Sequence, residues 1–391
     1  MSNLIPNPPD SNATEPAISV DPSAARAASA ELIPTPLATA LPESASVPLA
    51  GYRGAYTANV FSSVSEELAS LLKETGACDL GWRSFLHSKG EDRVRWLNGM
   101  VTNSVTGLED NTGCYAFVLN AQGRIQGDLN IYRRANALWL QTDRSQIEAL
   151  TAFLDHYIIM DDVALELQAN WTAIGIAGPQ AAGKLAAIGL EFGPLSPMHL
   201  AEVSWRGRTA MVVAAYSPLV PRYEVWASSE DAASIWKALL ESGATPCGAE
   251  AVEQLRILEG TPAYSVDITS RDLPQETNQT RALHFSKGCY IGQEIVERIR
   301  SRGLLHRTFH GFVLEGEAPA AKTPLLADGK PVGELSSVAR ICIPGVGERV
   351  LALGRHVRRE ELERQTVLTA NGNIVTPSSL PFDFSNMAVQ P

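Results

Sequence analysis

Lys287-Gly288-Cys289-Tyr290-Ile291-Gly292-Gln293-Glu294 sets one cysteine between two glycines and runs into Ile295-Val296-Glu297-Arg298, a stretch of helical character. Gly288 and Gly292 allow close backbone approach or a left-handed turn. A cysteine beside a lysine at a helix start is the setting in which thiolates form. On the residues alone two readings stay open for Cys289, a reactive thiol or a cysteine buried for packing. Leu273-Pro274-Gln275-Glu276-Thr277-Asn278-Gln279-Thr280 stands upstream, and Arg298, Arg300, Arg302 and Gly303 make a basic continuation.

The 391 residues around this stretch allow two or three domains, and 45% apolar residues are ample for hydrophobic cores. A net charge of −11 argues against a general nucleic-acid binder, which needs a basic face to displace counterions. Cys78, Cys114, Cys247, Cys289 and Cys342 are scattered singly, with neither zinc-ligand nor CxxC spacing. No metal site, no disulfide framework and a reducing cytoplasm are therefore expected. No apolar run approaches the roughly 20 residues of a membrane span. The N-terminus shows no basic segment followed by an apolar core, so no secretory signal is expected.

Residues 1–50 are rich in Pro, Ala and Ser, with Arg26 as the one basic residue. They predict a disordered tail, dispensable for folding to about residue 48, with a transient helix at Ala24–Ala30. Val64, Leu68, Leu71 and Leu72 recur at helical spacing, and residues 92–100 read as a second helix. Tyr115–Asn120 and Ile125–Tyr132 read as strands paired around Ala121-Gln122-Gly123. Asp143 with Gln146 resembles a capping box opening the helix that carries Leu150 and Leu154. Beyond a subdomain boundary near 165 come strands at Trp171–Ala177 and Tyr223–Ala227. Helices follow at Asp231–Ser242 and Ala249–Glu259, the latter stopped by Gly260. The mixture lacks a strict βαβ repeat, so an α+β core is expected over 51–306. Short strands from 307 to 380 predict a small β-barrel, and 381–391 a loose tail.

Gly178-Pro179-Gln180-Ala181-Ala182-Gly183-Lys184 comes close to a phosphate-binding loop. Leu185 stands where the magnesium-binding hydroxyl belongs, and Pro179 removes a backbone N–H, so an ordinary strand–helix turn is expected. His306 and His310 fall on a strand, where their spacing sets them apart, and they predict no metal centre.

The octapeptide 287–294 looks like the signature of the YgfZ group of folate-binding proteins, within the aminomethyltransferase superfamily. The resemblance covers about residues 55–360. Leu119-Asn120-Ala121-Gln122-Gly123-Arg124-Ile125-Gln126-Gly127-Asp128 resembles the enzymes' LNAxGxxxDD turn. Tyr223-Glu224-Val225 resembles their GYE strand. Pro246-Cys247-Gly248 with Leu255-Arg256-Ile257-Leu258-Glu259-Gly260 resembles their PCG…LRLEAG helix. This implies a three-domain fold around a central cavity for tetrahydrofolate or a one-carbon derivative. It implies Glu224 and Tyr223 on the pterin, Glu224 accepting its paired N–H groups, and Arg256 donating to its carbonyl edge. The competing readings are a polar strand face for Glu224 and a surface pair with Glu259 for Arg256.

The first Asp of the enzymes' pair aligns with Gly127, which leaves Asp128 as a lesser candidate and counts against transfer chemistry. The resemblance therefore implies a tetrahydrofolate-binding accessory protein for iron–sulfur cluster assembly or repair. Its partners would be iron–sulfur proteins or assembly factors. Cys289 would be the reactive thiol on the cavity rim, with Lys287, Gly288, Tyr290, Gly292, Gln293 and Glu294 shaping its surroundings. One cysteine cannot hold a cluster alone, since clusters generally take four ligands. The alternative is a folate-dependent one-carbon transferase or demethylase.

Overall fold

Val64, Leu68 and Leu71 share one face of the Val64–Lys73 helix, whose start is capped by the Ser63 hydroxyl accepting from Glu66 N at 3.3 Å. Leu68 and Leu71 have no solvent exposure and sit in the largest apolar core with Trp82, Phe85 and Trp226. The computed structural model describes residues 32–40, 47–303, 305, 307–358 and 367–384.

Two sheets carry the first two-thirds of the chain. One has five strands in the order Gly113–Leu119, Ile125–Arg134, Ala137–Asp143, Arg83–Lys89, Ala164–Leu167. The other has six, in the order Leu200–Trp205, Arg208–Ala214, Arg222–Ser228, Trp171–Ala177, Gly76–Asp79, Thr245–Cys247. The Gly76–Asp79 strand lies inside the second sheet although it precedes the first in sequence, so no single cut near 165 separates the sheets. The strands Arg307–Leu314, Gly347–Arg358, Lys330–Ile343, Pro324–Ala327, Leu368–Ala370 and Asn373–Ser378 close into a barrel, as expected for the C-terminal module. Gly260, at φ +67°, ends the Ala249–Glu259 helix in the left-handed conformation.

The expected tail is corrected over residues 33–40. Ile33–Pro34 pairs with Ala55–Tyr56, and Pro36–Ala40 is a short helix whose Leu37 is buried in the second core. Thr35 is fully buried, and its hydroxyl donates to Asp79, which also accepts from Thr57 Oγ1 at 2.7 Å and Gly81 N at 2.8 Å. Counting apolar periods misses this attachment because it rests on a two-residue strand pairing, one hydroxyl and one leucine. Residues 1–31, with the expected helix at 24–30, and most of 381–391 lie outside the described residues. We expect Thr35→Val to cost about 1–3 kcal/mol, because it takes a donor from a buried carboxylate. Thermal unfolding checks this, and an unchanged midpoint would mean the attachment contributes nothing.

Asp143 and Gln146 form no capping box. The Asp143 side chain makes no cap hydrogen bond. Its two oxygens accept from Arg53 at 2.8 Å and Arg83 at 2.7 Å, while Gln146 turns its amide to Asp128. The two arginines outcompete the helix N–H groups because charge-assisted bonds are the stronger ones. Lys184 donates to the Ser242 carbonyl, in keeping with an ordinary turn at Gly178–Lys184.

Candidate functional site

Alternation along strands and helical spacing bring one set of side chains together. Asp128, Asn130 and Tyr132 project from one face of Ile125–Arg134, and Arg222 and Glu224 from one face of Arg222–Ser228. Val252, Arg256 and Glu259 recur at i, i+4 and i+7 on the Ala249–Glu259 helix. With Arg53, Arg83, Asp143, Tyr115, Tyr216 and Arg281 they line a cavity of about 790 Å³ of empty space, mouth included. Five arginines face four carboxylates there.

Glu224 is buried, with 3% exposure. Its Oε2 accepts from Gln141 Nε2 at 2.6 Å and Trp226 Nε1 at 2.8 Å, while no described protein donor reaches Oε1. It is thus a fixed carboxylate with one open oxygen. Tyr223, expected beside it on the ligand, does not line the cavity. As the neighbouring residue on a strand it points to the other face of the sheet, where its ring packs against Phe192.

Arg256 has five N–H donors, and all five are engaged. Nε donates to Glu253 at 2.9 Å, and one terminal nitrogen to Thr261 O and Asp267 Oδ2, each at 2.6 Å. The other donates to Glu253 and to Ser337 Oγ at 2.7 Å. The expected donation to a pterin is therefore corrected: Arg256 is a strut joining its helix to the barrel. It is not a surface pair with Glu259 either, whose carboxylate accepts from Ser217 and lies 3.9 Å from Arg222. Burial raises Glu259 above the usual carboxylate range, and Arg222 opposes the shift.

Asp128 faces the cavity. Its Oδ2 accepts from the Tyr115 hydroxyl at 2.7 Å and its Oδ1 from Gln146 at 2.8 Å. Burial raises it above the usual carboxylate range and the Asp143 charge adds to this, against those two hydrogen bonds. Gly127 points the other way, toward the Arg144–Asp155 helix, where an added Cβ would lie 2.7 Å from Leu150. A side chain at 127 could not reach the cavity, so Gly127 removes nothing from it. The weight placed on that glycine is corrected by the pleat of the strand.

The 287–294 segment does not line the cavity. Lys287 donates all three N–H groups to the carbonyls of Asn98, Val101 and Asn103, at 2.5, 2.6 and 2.7 Å. Burial pulls its ammonium down to about 8. Gly292, at φ +82°, lies where an added Cβ would be 2.7 Å from Asn120 O. Ile291 N donates to Gly99 O at 3.0 Å, and Gln293 Oε1 accepts from Tyr290 N at 3.3 Å. Glu294 lies in the first turn of the Gln293–Arg302 helix, and nothing crowds Gly288. The segment braces the end of the Arg93–Met100 helix with the residues to 103 that follow it and the 120–123 turn, and Cys289 stands exposed on it. Cys289 is not among the residues that line the cavity. Neither His310, on a barrel strand, nor any other described residue belongs to a metal-ligating cluster; His306 lies outside them.

Cys289 and Cys342 are exposed, Cys114 is half-buried with its thiol pushed up to about 12 by burial, and Cys78 and Cys247 are buried. We expect Cys289 and Cys342 to alkylate first, and Cys78 and Cys247 only on unfolding. Site-resolved mass spectrometry reads the order, and a fast Cys247 would contradict it.

The family described as the GCVT N-terminal domain matches residues 44–287, more than half of the sequence. This chain belongs to that family. Aminomethyltransferases of Rippkaea orientalis and Bacillus mycoides are each 26% identical to it, over 296 and 292 residues. Both alignments cover 71% of this chain and 78% of the relative. The crystal structure of glycine cleavage system aminomethyltransferase T from Bartonella henselae shares its fold, with a TM-score of 0.80 at 20% identity. That match covers 91% of this chain and 99% of the other. The α+β, three-part architecture with its C-terminal barrel is therefore that of the aminomethyltransferase superfamily. No described helix is long and apolar enough to cross a membrane.

No motif signals Arg53 or Arg281 as cavity residues or Glu253 as a partner of Arg256, and Asp143 carries only the local form of a cap. Nor does any local pattern announce Asp267, the buried partner of Arg256.

Proposed function

We propose that this GCVT-family protein binds a reduced folate in the central cavity and carries out one-carbon transfer there. The observation that carries the proposal is the pair of carboxylates lining one cavity from two sheets, Glu224 buried with one open oxygen and Asp128 half-buried and held by Tyr115 and Gln146. These residues fit a reduced pterin. Glu224 accepts from the ring's N–H edge, and Asp128, with its raised proton affinity, can hold or release a proton inside the cavity. When bound, a reduced folate supplies the amine nitrogen that receives the one-carbon unit. The chain's similarity to aminomethyltransferases supports the reading.

A second reading is favoured by the exposed Cys289 on its braced segment. It is that the protein is a YgfZ-type accessory factor, with the bound folate serving iron–sulfur cluster assembly or repair. Calorimetric titration with tetrahydrofolate tests the shared part. Glu224→Gln should weaken binding roughly 10-fold or more, and unchanged affinity would remove Glu224 from the site. Turnover of a methylamine or aminomethyl donor with tetrahydrofolate then separates the readings. No turnover, together with a Cys289→Ser variant that binds folate yet fails to restore iron–sulfur enzymes in cells lacking the protein, would establish the second.

A further inference from the structure

Of the five cavity arginines, four are committed to protein carboxylates. Arg53 and Arg83 hold Asp143, Arg222 lies against Glu259, and Arg256 is saturated. Arg281 differs. Its guanidinium lies between two tyrosine rings, 4.1 Å from the centroid of Tyr115 and 4.1 Å from that of Tyr216. Its Nε donates to Gln279 Oε1 at 3.2 Å, and its carbonyl accepts from Asn103 Nδ2 at 2.9 Å. No described carboxylate lies within ion-pair distance of it, and no described acceptor takes a hydrogen from its terminal nitrogens. The plane of the cation is fixed by stacking on both sides, and its terminal edge remains open at the cavity wall.

A planar guanidinium held in this way is preorganised for a bidentate anion, and the geometry it matches is a carboxylate. The pterin end of a folate carries no carboxylate, whereas its glutamyl end does. We propose that Arg281 receives the glutamyl carboxylate of the bound folate and so makes the site select folates over reduced pterins that lack the glutamyl tail. The proposal rests on the folate reading above and adds the group that orients the ligand, with its pterin toward Glu224 and its tail toward the Tyr115–Tyr216 clamp. The rings also explain why this cation tolerates having no protein counter-ion, since their faces offset part of its desolvation.

Anaerobic calorimetric titration of the full chain with tetrahydrofolate and with 6-methyltetrahydropterin tests this. The wild type should prefer tetrahydrofolate by about 10-fold or more. Arg281→Gln should lose about 10- to 100-fold in tetrahydrofolate affinity and leave the tetrahydropterin affinity unchanged. Arg281→Lys, which keeps charge but not the fork, should fall between. Tyr216→Leu removes one side of the clamp at a residue that is 40% exposed, so the fold should persist while part of the preference is lost. Equal losses for both ligands in Arg281→Gln, or none, would overturn the proposal. A wild type that binds both ligands equally would overturn it while leaving the folate reading standing. A wild type that binds neither would overturn both.

Discussion

Replacing Arg256 with leucine should lower the stability of the protein by about 3–5 kcal/mol, a fall in melting temperature of roughly 5 °C for a chain of this length, before any effect on a ligand is considered. Arg256 satisfies Glu253 and Asp267 together, and the Asp267 side chain has no solvent exposure. Asp267 also accepts from Ser336 Oγ at 2.5 Å and Ser337 Oγ at 2.7 Å, both on a barrel strand. Removing the guanidinium leaves a buried carboxylate without its counter-charge and loosens the joint between helix and barrel. Arg256→Lys should recover only part of the loss, because three N–H groups cannot meet five acceptors. Acid unfolding gives a second readout. Burial alone would raise Glu253, but Arg256 overrides this and brings it down to about 2 from an ordinary value of 4.5. A depressed carboxyl stabilises the fold above its unfolded value and loses that contribution as pH falls through the folded one. The wild type should therefore lose this contribution between about pH 4.5 and 2, and Arg256→Lys should show a flatter decline there. Normal stability in Arg256→Leu with only folate affinity lost would return Arg256 to the ligand.

Arg256 also shows how far the sequence could be read. Its place on a helix facing the cavity follows from spacing, because Val252, Arg256 and Glu259 share a face wherever that helix forms. What it does there depends on Asp267 and Ser337, 11 and 81 residues away, and no local pattern announces such partners. The same division runs through the site. Alternation separates Glu224 from Tyr223 and Asp128 from Gly127, so their opposed directions were legible in principle; matching motifs residue by residue hid them. Asp143 had the local form of a cap and lost that role to two distant arginines. Composition and turn residues indicated the barrel, because short strands between turns leave few other solutions. The attachment at Thr35 lies in a stretch whose composition predicts disorder, and its strand pairing with 55–56, the burial of Leu37 and the bond to Asp79 depend on partners far along the chain.

Asp128→Asn should leave tetrahydrofolate affinity within about fivefold of the wild type and lower one-carbon transfer by roughly 10²–10⁴-fold, the range expected for losing a positioned acid–base group. The amide is close in size to the carboxyl, and its two polar atoms can still meet Tyr115 and Gln146, so the cavity should keep its shape. What is lost is the exchangeable proton. In the wild type, burial and the Asp143 charge raise the carboxyl above the usual range, so a proton gained there is retained at a pH where an exposed aspartate would release it. The pH profile should carry the same signature. Activity that depends on protonated Asp128 declines as pH rises through its raised value, and Asp143→Asn, which removes the neighbouring charge, should move that decline to lower pH. Asp143 is also bound to Arg53 and Arg83, so its variant needs a check of folding by thermal unfolding. Gly127→Ala supplies the contrast. Its added Cβ meets Leu150 in the core, so it should cost stability and leave the pH profile of transfer where it was. If Asp128→Asn turns over like the wild type, the cavity carboxylate has no part in transfer; if the wild type shows no turnover with any donor, the folate serves the accessory role and Cys289 becomes the residue to pursue.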